Sequence, residues 1–337
     1  MATVLVTGSA GFIGFHTAQR LLARGDQVVG LDNLNAYYDP KLKAARLAQL
    51  AAQSGYRHAK LDLTDRAGVA ALFEAVRPQG VINLAAQAGV RYSLEQPATY
   101  VDSNVVGFLN ILEGCRATLP RHLVFASTSS VFGASEKLPF SVRDGANHPI
   151  TLYAATKLAN ETMAHAYAHL FGVPCTGLRF FTVYGPWGRP DMALFKFTQA
   201  ILAGEPIEVF GEGRMQRDFT FVDDIVDGVV AALDRPAAPD PAWDPQAPSP
   251  ATSGVAPWRV LNLGASSRVE LMTYIQLLEA KLGRKAQIEL LPMQPGDVRS
   301  TEADISETRQ ALGYAPKTPV EEGVGRFVDW YLSYYGA

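Results

Sequence analysis

The sequence predicts an α/β protein with a doubly wound parallel sheet and a smaller C-terminal domain. Short β-branched runs alternate with longer helical patterns through the first half of the 337 residues. A glycine-rich turn follows the first apolar run and opens the first helical pattern. Continuous apolar strands separated by helices are typical of a parallel sheet that is covered on both faces, as in Rossmann proteins. After about residue 178, short strands, Gly-Pro turns and scattered helices replace this rhythm.

The elements of the first half are expected in chain order as follows. Strands are predicted at 4–6, 28–31, 58–61, 81–84 and 122–127, and helices at 12–24, 39–53, 67–76, 99–116 and 153–171. We expect residues 1–178 to form the first domain and residues 179–337 mainly the second, with some segments returning to the first. The stretch 234–257 carries seven prolines and few aliphatic residues, which predicts a flexible surface loop.

Composition excludes several classes of protein. The net charge of −3 gives non-specific nucleic-acid binding no electrostatic support, so no nucleic-acid partner is expected. Two cysteines in a chain of this length indicate reduced thiols rather than a disulfide framework. No basic leader and no apolar run of about 18 residues is present. We therefore expect no membrane association and a cytoplasmic location.

The glycine-rich turn at 7–14 predicts a dinucleotide site in the first domain. Glycines let the backbone turn tightly against a pyrophosphate, and the helix N-terminus supplies N–H donors. Asp32 ends the next strand, where it can accept both ribose hydroxyls and would repel a 2′-phosphate, which favours NAD over NADP. The alternative is a simple glycine turn with a capping aspartate, but the flanking strand and helix favour the cofactor site. The expected cofactor-binding residues are Gly8, Gly11, Phe12, Ile13, Gly14, Asp32, Asn33, Asp62, Leu63, Leu84, Ala85, Ala86, Tyr153 and Lys157.

Tyr153 and Lys157 are the candidate catalytic pair. They are four residues apart and therefore lie on one helix face. A free tyrosine titrates near ~10, but a neighbouring ammonium and an oxidised nicotinamide both favour the phenolate, so Tyr153 can serve as a general base. An ordinary surface pair is the alternative. The hydroxyl cluster at 127–130, which ends the preceding strand, favours catalysis.

Together these segments resemble the extended short-chain dehydrogenase/reductase superfamily, and within it the nucleotide-sugar epimerases and dehydratases. The resemblance also includes residues 179–186 and 217–224 and runs nearly from end to end; the 234–257 stretch lies outside it. It implies that Thr128 and Tyr153 flank the sugar 4-hydroxyl, and that Lys157 holds the nicotinamide ribose and tunes Tyr153. It also implies that hydride leaves C4 for NAD and returns on the other face, which makes the enzyme an epimerase. A homodimer through the helices at 99–116 and 153–171 is expected on the same grounds.

Further detail narrows the substrate. Dehydratases of this superfamily carry Asp-Glu directly after the catalytic threonine, where this chain has Ser129 and Ser130, so dehydration is disfavoured. Segments 35–40 with Lys43, 87–93 and 187–192 resemble UDP-glucuronate 4-epimerases. Short hydroxyls at 128–130 and 182 can bind a C5 carboxylate, which favours UDP-glucuronate as substrate and UDP-galacturonate as product. The expected substrate-binding residues are Arg91, Ser129, Ser130, Thr182, Arg189, Arg217 and Arg299.

Two alternatives stay open at the level of sequence. The chain can be a 4-epimerase of another nucleotide sugar, such as UDP-glucose. It can also be a catalytically silent NAD-binding regulatory protein, although that class usually loses the tyrosine or the lysine. His165 and His169 could form half of a metal site, but no third ligand is evident, so no metal is expected.

Overall fold

The computed structural model describes residues 2–336. Its strands are β1 (Thr3–Thr7), β2 (Gln27–Asp32), β3 (Tyr56–Lys60), β4 (Gly80–Asn83), β5 (His122–Thr128), β6 (Cys175–Phe180), β7 (Thr182–Tyr184), β8 (Pro206–Phe210), β9 (Gln216–Phe221), β10 (Trp258–Leu263), β11 (Arg268–Glu270) and β12 (Gln287–Leu291). Its helices are α1 (Phe12–Ala23), α2 (Pro40–Ala51), α3 (Arg66–Val76), α4 (Tyr92–Glu95), α5 (Pro97–Tyr100), α6 (Gly107–Thr118), α7 (Leu152–Phe171), α8 (Ala193–Ala203), α9 (Val222–Asp234), α10 (Leu271–Leu282), α11 (Ser306–Leu312) and α12 (Val320–Tyr335). None of these helices is long and apolar enough to cross a membrane.

Seven parallel strands form the main sheet in the order β3-β2-β1-β4-β5-β6-β10. The chain order reverses between β1 and β4, and ligands bind at such switch points in open α/β sheets. The predicted doubly wound parallel sheet is confirmed. β6 crosses the predicted boundary at residue 178, and β10 adds a late segment to the first sheet. The division into two functional domains stays a prediction.

Alternating side chains of the strands build two cores, one on each face of the sheet. Val4 and Val6 of β1 belong to the cluster that contains Phe15 of α1, whereas Leu5 belongs to the cluster that contains Phe108 of α6. Helices α1 and α9 pack together, as do α3 with α6 and α6 with α7. Because both faces of the sheet are buried, these strands appear in the sequence as continuous apolar runs.

The helix predicted at 99–116 is interrupted. α5 leads into a π-helical segment, Val101–Val106, before α6 begins. The wider turn leaves the Asn104 carbonyl free to accept from Asn160 of α7 at 2.6 Å. The Asn104 side chain pairs with the backbone of Gln87 at 2.8 and 3.0 Å. The π-helical segment therefore ties the segment after β4 to α7, as such bulges often do near functional sites.

The proline-rich stretch 234–257 makes more contacts than a loose surface loop would. Ala251 and Ser253 are buried, and the Asp240 amide donates to the Ser253 carbonyl at 2.8 Å. His165 and His169 of α7 hydrogen-bond to Ser253 Oγ at 3.0 Å and to the Val255 carbonyl at 2.9 Å. Side chains of α7 and the backbone of the edge strand β10 supply partners for this segment. Its flexibility stays a prediction.

The C-terminal half contributes two small sheets. β11, β9 and β7 form one, and β12 and β8 form the other. Phe219 of β9 and Tyr274 of α10 stack with ring centroids 4.0 Å apart in a core that also contains Phe195 and Phe327. These sheets cover the carboxyl edge of the main sheet and enclose the space above it.

The contact between α3 and α6 requires a glycine at position 114. A Cβ atom built on Gly114 would lie 2.4 Å from the Phe73 ring. We expect Gly114→Ala to lower the free energy of unfolding by about 1–3 kcal/mol, since overpacking forces helices apart. The matched control is Gly325→Ala in α12, where the nearest atom outside the helix is 3.9 Å away. Thermal unfolding should show the control equal to wild type or more stable, and equal melting temperatures for both variants would contradict the argument.

Candidate active site

A cavity of about 1210 Å³ lies along the carboxyl edge of β1, β2, β4, β5 and β6 and extends to β8 and β9. It is lined by every predicted site residue except Arg299, namely Gly8, Gly11, Phe12, Ile13, Gly14, Asp32, Asn33, Asp62, Leu63, Leu84, Ala85, Ala86, Arg91, Thr128, Ser129, Ser130, Tyr153, Lys157, Thr182, Arg189 and Arg217. Residues that are far apart in the sequence therefore share one space.

The glycine turn fits a dinucleotide because its backbone leaves no room for side chains. Gly8 has a φ of +70°, and a Cβ there would lie 2.8 Å from the Ala85 amide nitrogen. A Cβ on Gly14 would lie 2.0 Å from the Gly8 carbonyl oxygen. The N-terminus of α1 consequently opens directly into the cavity, and its free N–H groups are a binding site for phosphate.

Two carboxylates lie at the other end of this turn. Asp32 is buried, and it accepts from the Ala10 amide at 3.1 Å and the Leu34 amide at 2.8 Å. Asp62 accepts from Asn33 Nδ2 at 2.6 Å. Burial raises the pKa of Asp62, but hydrogen bonds from Thr64 and Asn33 outweigh it and hold the pKa below its ordinary value. The acids are therefore fixed acceptors, suited to the hydroxyl and amino groups of an adenosine.

Tyr153 and Lys157 project from the first turns of α7 into the cavity. Thr151 caps the N-terminus of the helix, and its hydroxyl accepts from the Ala154 amide at 3.2 Å. Burial lowers the pKa of the Lys157 ammonium to about 8, while the charge of Glu161 opposes the change. Burial also raises the pKa of Tyr153, and a hydrogen bond with Thr128 opposes that. Burial thus dominates the pKa of the phenol, which is raised rather than lowered in this structure.

Hydroxyls surround the tyrosine on the β5 side. The Thr128 hydroxyl accepts from the Ser130 amide at 3.2 Å and donates to Ser130 Oγ at 3.2 Å, which starts a short 3-10 helix over Ser129–Phe132. Thr182 begins β7 and lines the same cavity. In this part of the cavity the structure therefore places neutral hydrogen-bonding groups beside Tyr153.

Two arginines line the distal part of the cavity. Arg91 pairs with Asp297 at 3.1 Å and lies over the Phe210 ring at 4.6 Å. Burial lowers the pKa of Arg217, and Asp297 opposes the change. The Arg299 side chain is exposed and does not line the cavity, so its part in substrate binding stays a prediction. The Arg299 carbonyl instead accepts from Arg217 Nη1 at 3.1 Å and so orients the other arginine.

Arg189 reaches the middle of the cavity as part of a polar trio. Its Nε donates to Asp191 Oδ1 at 3.0 Å, and the Tyr37 hydroxyl donates to Asp191 Oδ2 at 3.2 Å. Burial raises the pKa of Tyr37 to about 12, with Asp191 acting in the same direction. Arg189 therefore both faces the cavity and fixes the conformation of its own turn.

A buried ion pair that the sequence did not reveal lies behind the candidate catalytic residues. Glu161 accepts from Arg179 Nε at 2.9 Å and Nη2 at 2.8 Å, and from Ser127 Oγ at 2.5 Å. Both charged side chains are almost fully buried. The spacing of four between Lys157 and Glu161 was the available signal, since it places both on one helix face. The pair fixes the ends of β5 and β6 against α7, next to Thr128.

The comparisons with known proteins agree with this geometry. Residues 4–243 match the NAD dependent epimerase/dehydratase family. A probable UDP-glucuronate 4-epimerase from Rhizobium meliloti (strain 1021) is 51% identical over 98% of this chain and 97% of its own length.

Solved structures resemble the chain over nearly its whole length. The UDP-glucuronic acid 4-epimerase from Bacillus cereus, in complex with UDP-glucuronic acid and NAD, has a TM-score of 0.87 and 32% identity, covering 99% of this chain and 100% of that one. The UDP-glucose 4-epimerase from Thermotoga maritima, with UDP-glucose, has a TM-score of 0.86 and 28% identity, covering 99% of both chains. The predicted resemblance to nucleotide-sugar epimerases is confirmed, and the chain belongs to the NAD-dependent epimerase/dehydratase family.

Proposed function

We propose that this chain is an NAD-dependent epimerase that interconverts UDP-glucuronate and UDP-galacturonate at C4 through a transient 4-keto sugar. The observation that carries the proposal is the single cavity in which the glycine turn, the Tyr153–Lys157 pair and the neutral hydroxyls of Thr128–Ser130 meet. Its relatives and structural neighbours include enzymes named for this reaction. The proposal divides the chain into an NAD-binding part, residues 1–178, and a mainly substrate-binding part, residues 179–337.

The residues around Tyr153 fit the proton-transfer steps. The glycine turn and Asp32 would hold NAD, which would supply the hydride acceptor and donor for C4. Tyr153 takes the proton from the 4-hydroxyl as the hydride leaves and gives it back afterwards, with Thr128 hydrogen-bonded to the phenol. Lys157 contributes positive charge and a hydrogen-bond donor beside the ribose and is protonated below a pH of about 8. The charge of Glu161 favours the protonated form of Lys157.

The hydroxyls support a uronate in preference to a neutral sugar. Ser129, Ser130 and Thr182 supply neutral hydrogen-bond donors to a C5 carboxylate. Such donors also restrain a 4-keto uronate, which is a β-keto acid and loses CO₂ readily. Serines at 129 and 130 cannot act as the acid and base that dehydration across C5 and C6 requires.

UDP-glucose is the second candidate substrate, because a structural neighbour of similar TM-score was solved with UDP-glucose. The Thr182 hydroxyl distinguishes the two substrates, because only UDP-glucuronate offers it a charged partner. A catalytically silent NAD-binding protein is disfavoured, because Tyr153 and Lys157 are both present and line the cavity.

The enzyme should be purified with NAD already bound, because a cofactor that is regenerated in every turnover need not leave. Asp32→Ala should lower the NAD content strongly while UDP binds with unchanged affinity. The control is Asp65→Ala, which removes the cap of α3 outside the cavity and should leave the NAD content unchanged. Acid denaturation followed by chromatography measures the released NAD. Release of no NAD from wild type would contradict tight retention.

Wild type should prefer UDP-glucuronate over UDP-glucose by as much as ~10⁴, since a site built around a polar group rejects analogues that lack it. Thr182→Val keeps the side-chain volume and removes one hydrogen bond to a charged group, worth roughly 1–3 kcal/mol. The variant should lose turnover of UDP-glucuronate and release more UDP-pentose by decarboxylation. Tyr153→Phe should abolish all products. Liquid chromatography separates the products and measures their amounts. Equal rates of wild type on both substrates would refute the uronate assignment and leave the epimerase assignment standing.

We also propose that the enzyme is a cytoplasmic homodimer that pairs through α5–α6 and α7. Thr162, Ala166 and Leu170 recur every fourth residue on α7 and are exposed, which leaves an uncharged stripe on that helix. Cys115 and Cys175 are free and buried, which suits a reducing compartment.

Light scattering at micromolar concentration should give twice the mass of the chain, and Ala166→Arg should give a monomer because it places a charge in the stripe. Leu94→Arg changes an exposed apolar residue outside α5–α7 and is the control that should remain dimeric. A monomeric wild type would refute the proposed assembly.

A further inference from the structure

Arg46 of α2 is fully buried, with an exposed fraction of 0%. Nη1 donates to the Ala10 carbonyl at 2.9 Å and to the Tyr38 hydroxyl at 2.7 Å. Nη2 donates to the carbonyls of Trp187 at 2.6 Å and Gly188 at 3.1 Å. Within residues 2–336, none of the four acceptors is a carboxylate, and Nε has no partner. Four of the five guanidinium donors are thus used on neutral oxygens.

The acceptors of Arg46 belong to the two ligand-binding halves of the cavity. Ala10 lies in the glycine turn, between Gly8 and the start of α1. Trp187 and Gly188 directly precede Arg189, which faces the cavity with Asp191. The two turns are separated by more than 170 residues of chain, and one planar side chain holds them at a fixed spacing.

The Trp187 turn needs this outside support. Trp187 has a φ of +60°, a left-handed conformation that non-glycine residues adopt at a cost. Its ring packs against Phe15 at 5.7 Å, Trp330 at 5.2 Å and Tyr334 at 4.8 Å. These contacts hold the ring, while Arg46 holds the carbonyl, so both sides of the strained residue are fixed.

A structural role alone explains Arg46 poorly. A buried guanidinium without a carboxylate partner carries a large desolvation cost, and apolar side chains of similar volume often replace buried charges without loss of stability. Methionine at this position would fill the space but leave three buried carbonyl oxygens without their donor. Only a guanidinium provides several N–H donors in one plane, and these reach both turns at once.

We infer that Arg46 is a positioning residue that sets the distance between the cofactor turn and the sugar-facing turn, and thereby aligns C4 of the sugar with the nicotinamide and Tyr153. The inference rests on the proposed epimerase function. A displacement of about 1 Å between reacting groups can reduce the rate on the order of 10²-fold. Among residues 2–336 the diphosphate candidates Arg91 and Arg217 share no hydrogen bond with Arg46, so a change at Arg46 leaves their own hydrogen-bond partners in place.

The test compares Arg46→Met and Arg46→Lys with wild type, each purified with its bound NAD and normalised to its NAD-loaded sites. For Arg46→Met we expect turnover of UDP-glucuronate per loaded site to fall on the order of 10²-fold and NAD to be released faster. The dissociation constant of UDP, measured by calorimetry, should stay within about threefold of wild type, since the nucleotide contacts are unchanged. Arg46→Lys keeps the positive charge but not the planar set of donors. Its turnover and its rate of NAD release should lie between those of wild type and Arg46→Met. It also provides the test if the methionine variant does not fold.

The matched control is Arg20→Met, which removes an exposed arginine of α1 that pairs with Asp227 outside the cavity. It should retain wild-type turnover per loaded site and wild-type NAD release. If both Arg46 variants lose only thermal stability, with normal turnover and NAD release per loaded site, the positioning role is refuted. If wild type does not convert UDP-glucuronate, the proposed function fails instead, while NAD release still tests whether Arg46 supports the cofactor turn.

Discussion

Parallel hydrogen bonding between β1, β2, β4 and β5 is the constraint on which the active site depends. Thr7 pairs in register with Leu31 and with Asn83, and Asn83 pairs with Phe125, so these strands run together toward one edge of the sheet. The residues that follow each of these strands therefore lie at that edge. The Thr7 hydroxyl reinforces the register by donating to Asn83 Oδ1 at 2.7 Å and accepting from the Ala85 amide at 3.1 Å. Because the register fixes this edge, the glycine turn, the acidic residue of β2 and the hydroxyls after β5 come together there, and the Ala10 amide of the turn donates to Asp32 at 3.1 Å.

Burial then decides the chemistry of the residues that reach this edge. Removing Tyr153 and Lys157 from water favours the neutral form of each, which raises the pKa of the phenol and lowers that of the ammonium. Hydrogen bonding from Thr128 and the charge of Glu161 act in the opposite directions. Glu161 itself tolerates burial because Arg179 binds both of its oxygens. The pKa of Lys157 is therefore influenced by a chain of contacts that extends from the cavity through Glu161 to Arg179 in the core of the sheet.

The part of the cavity around Arg189 and Arg217 is held together by contacts between turns rather than by a sheet register. Asp191 hydrogen-bonds to both Arg189 and Tyr37. Asp297 forms an ion pair with Arg91 and also interacts electrostatically with Arg217 of β9. Turns carry few backbone hydrogen bonds of their own, so side chains from other elements must fix them. This explains why buried or half-buried charged residues concentrate around the cavity, and why Arg46 links its two ends.

The sequence by itself determined the sheet, the glycine turn, Asp32 and the Tyr153–Lys157 pair, because each depends on local periodicity or on a spacing within one helix or turn. It also indicated the hydroxyls at 128–130, since they follow a recognisable strand. Only the tertiary structure decided the partners of Glu161, the role of Arg46, the exposure of Arg299 and the packing of the 234–257 segment. In each of these cases the deciding contact joins residues far apart in the chain, and neither hydropathy nor spacing carries information about a contact that exists only after the chain has folded.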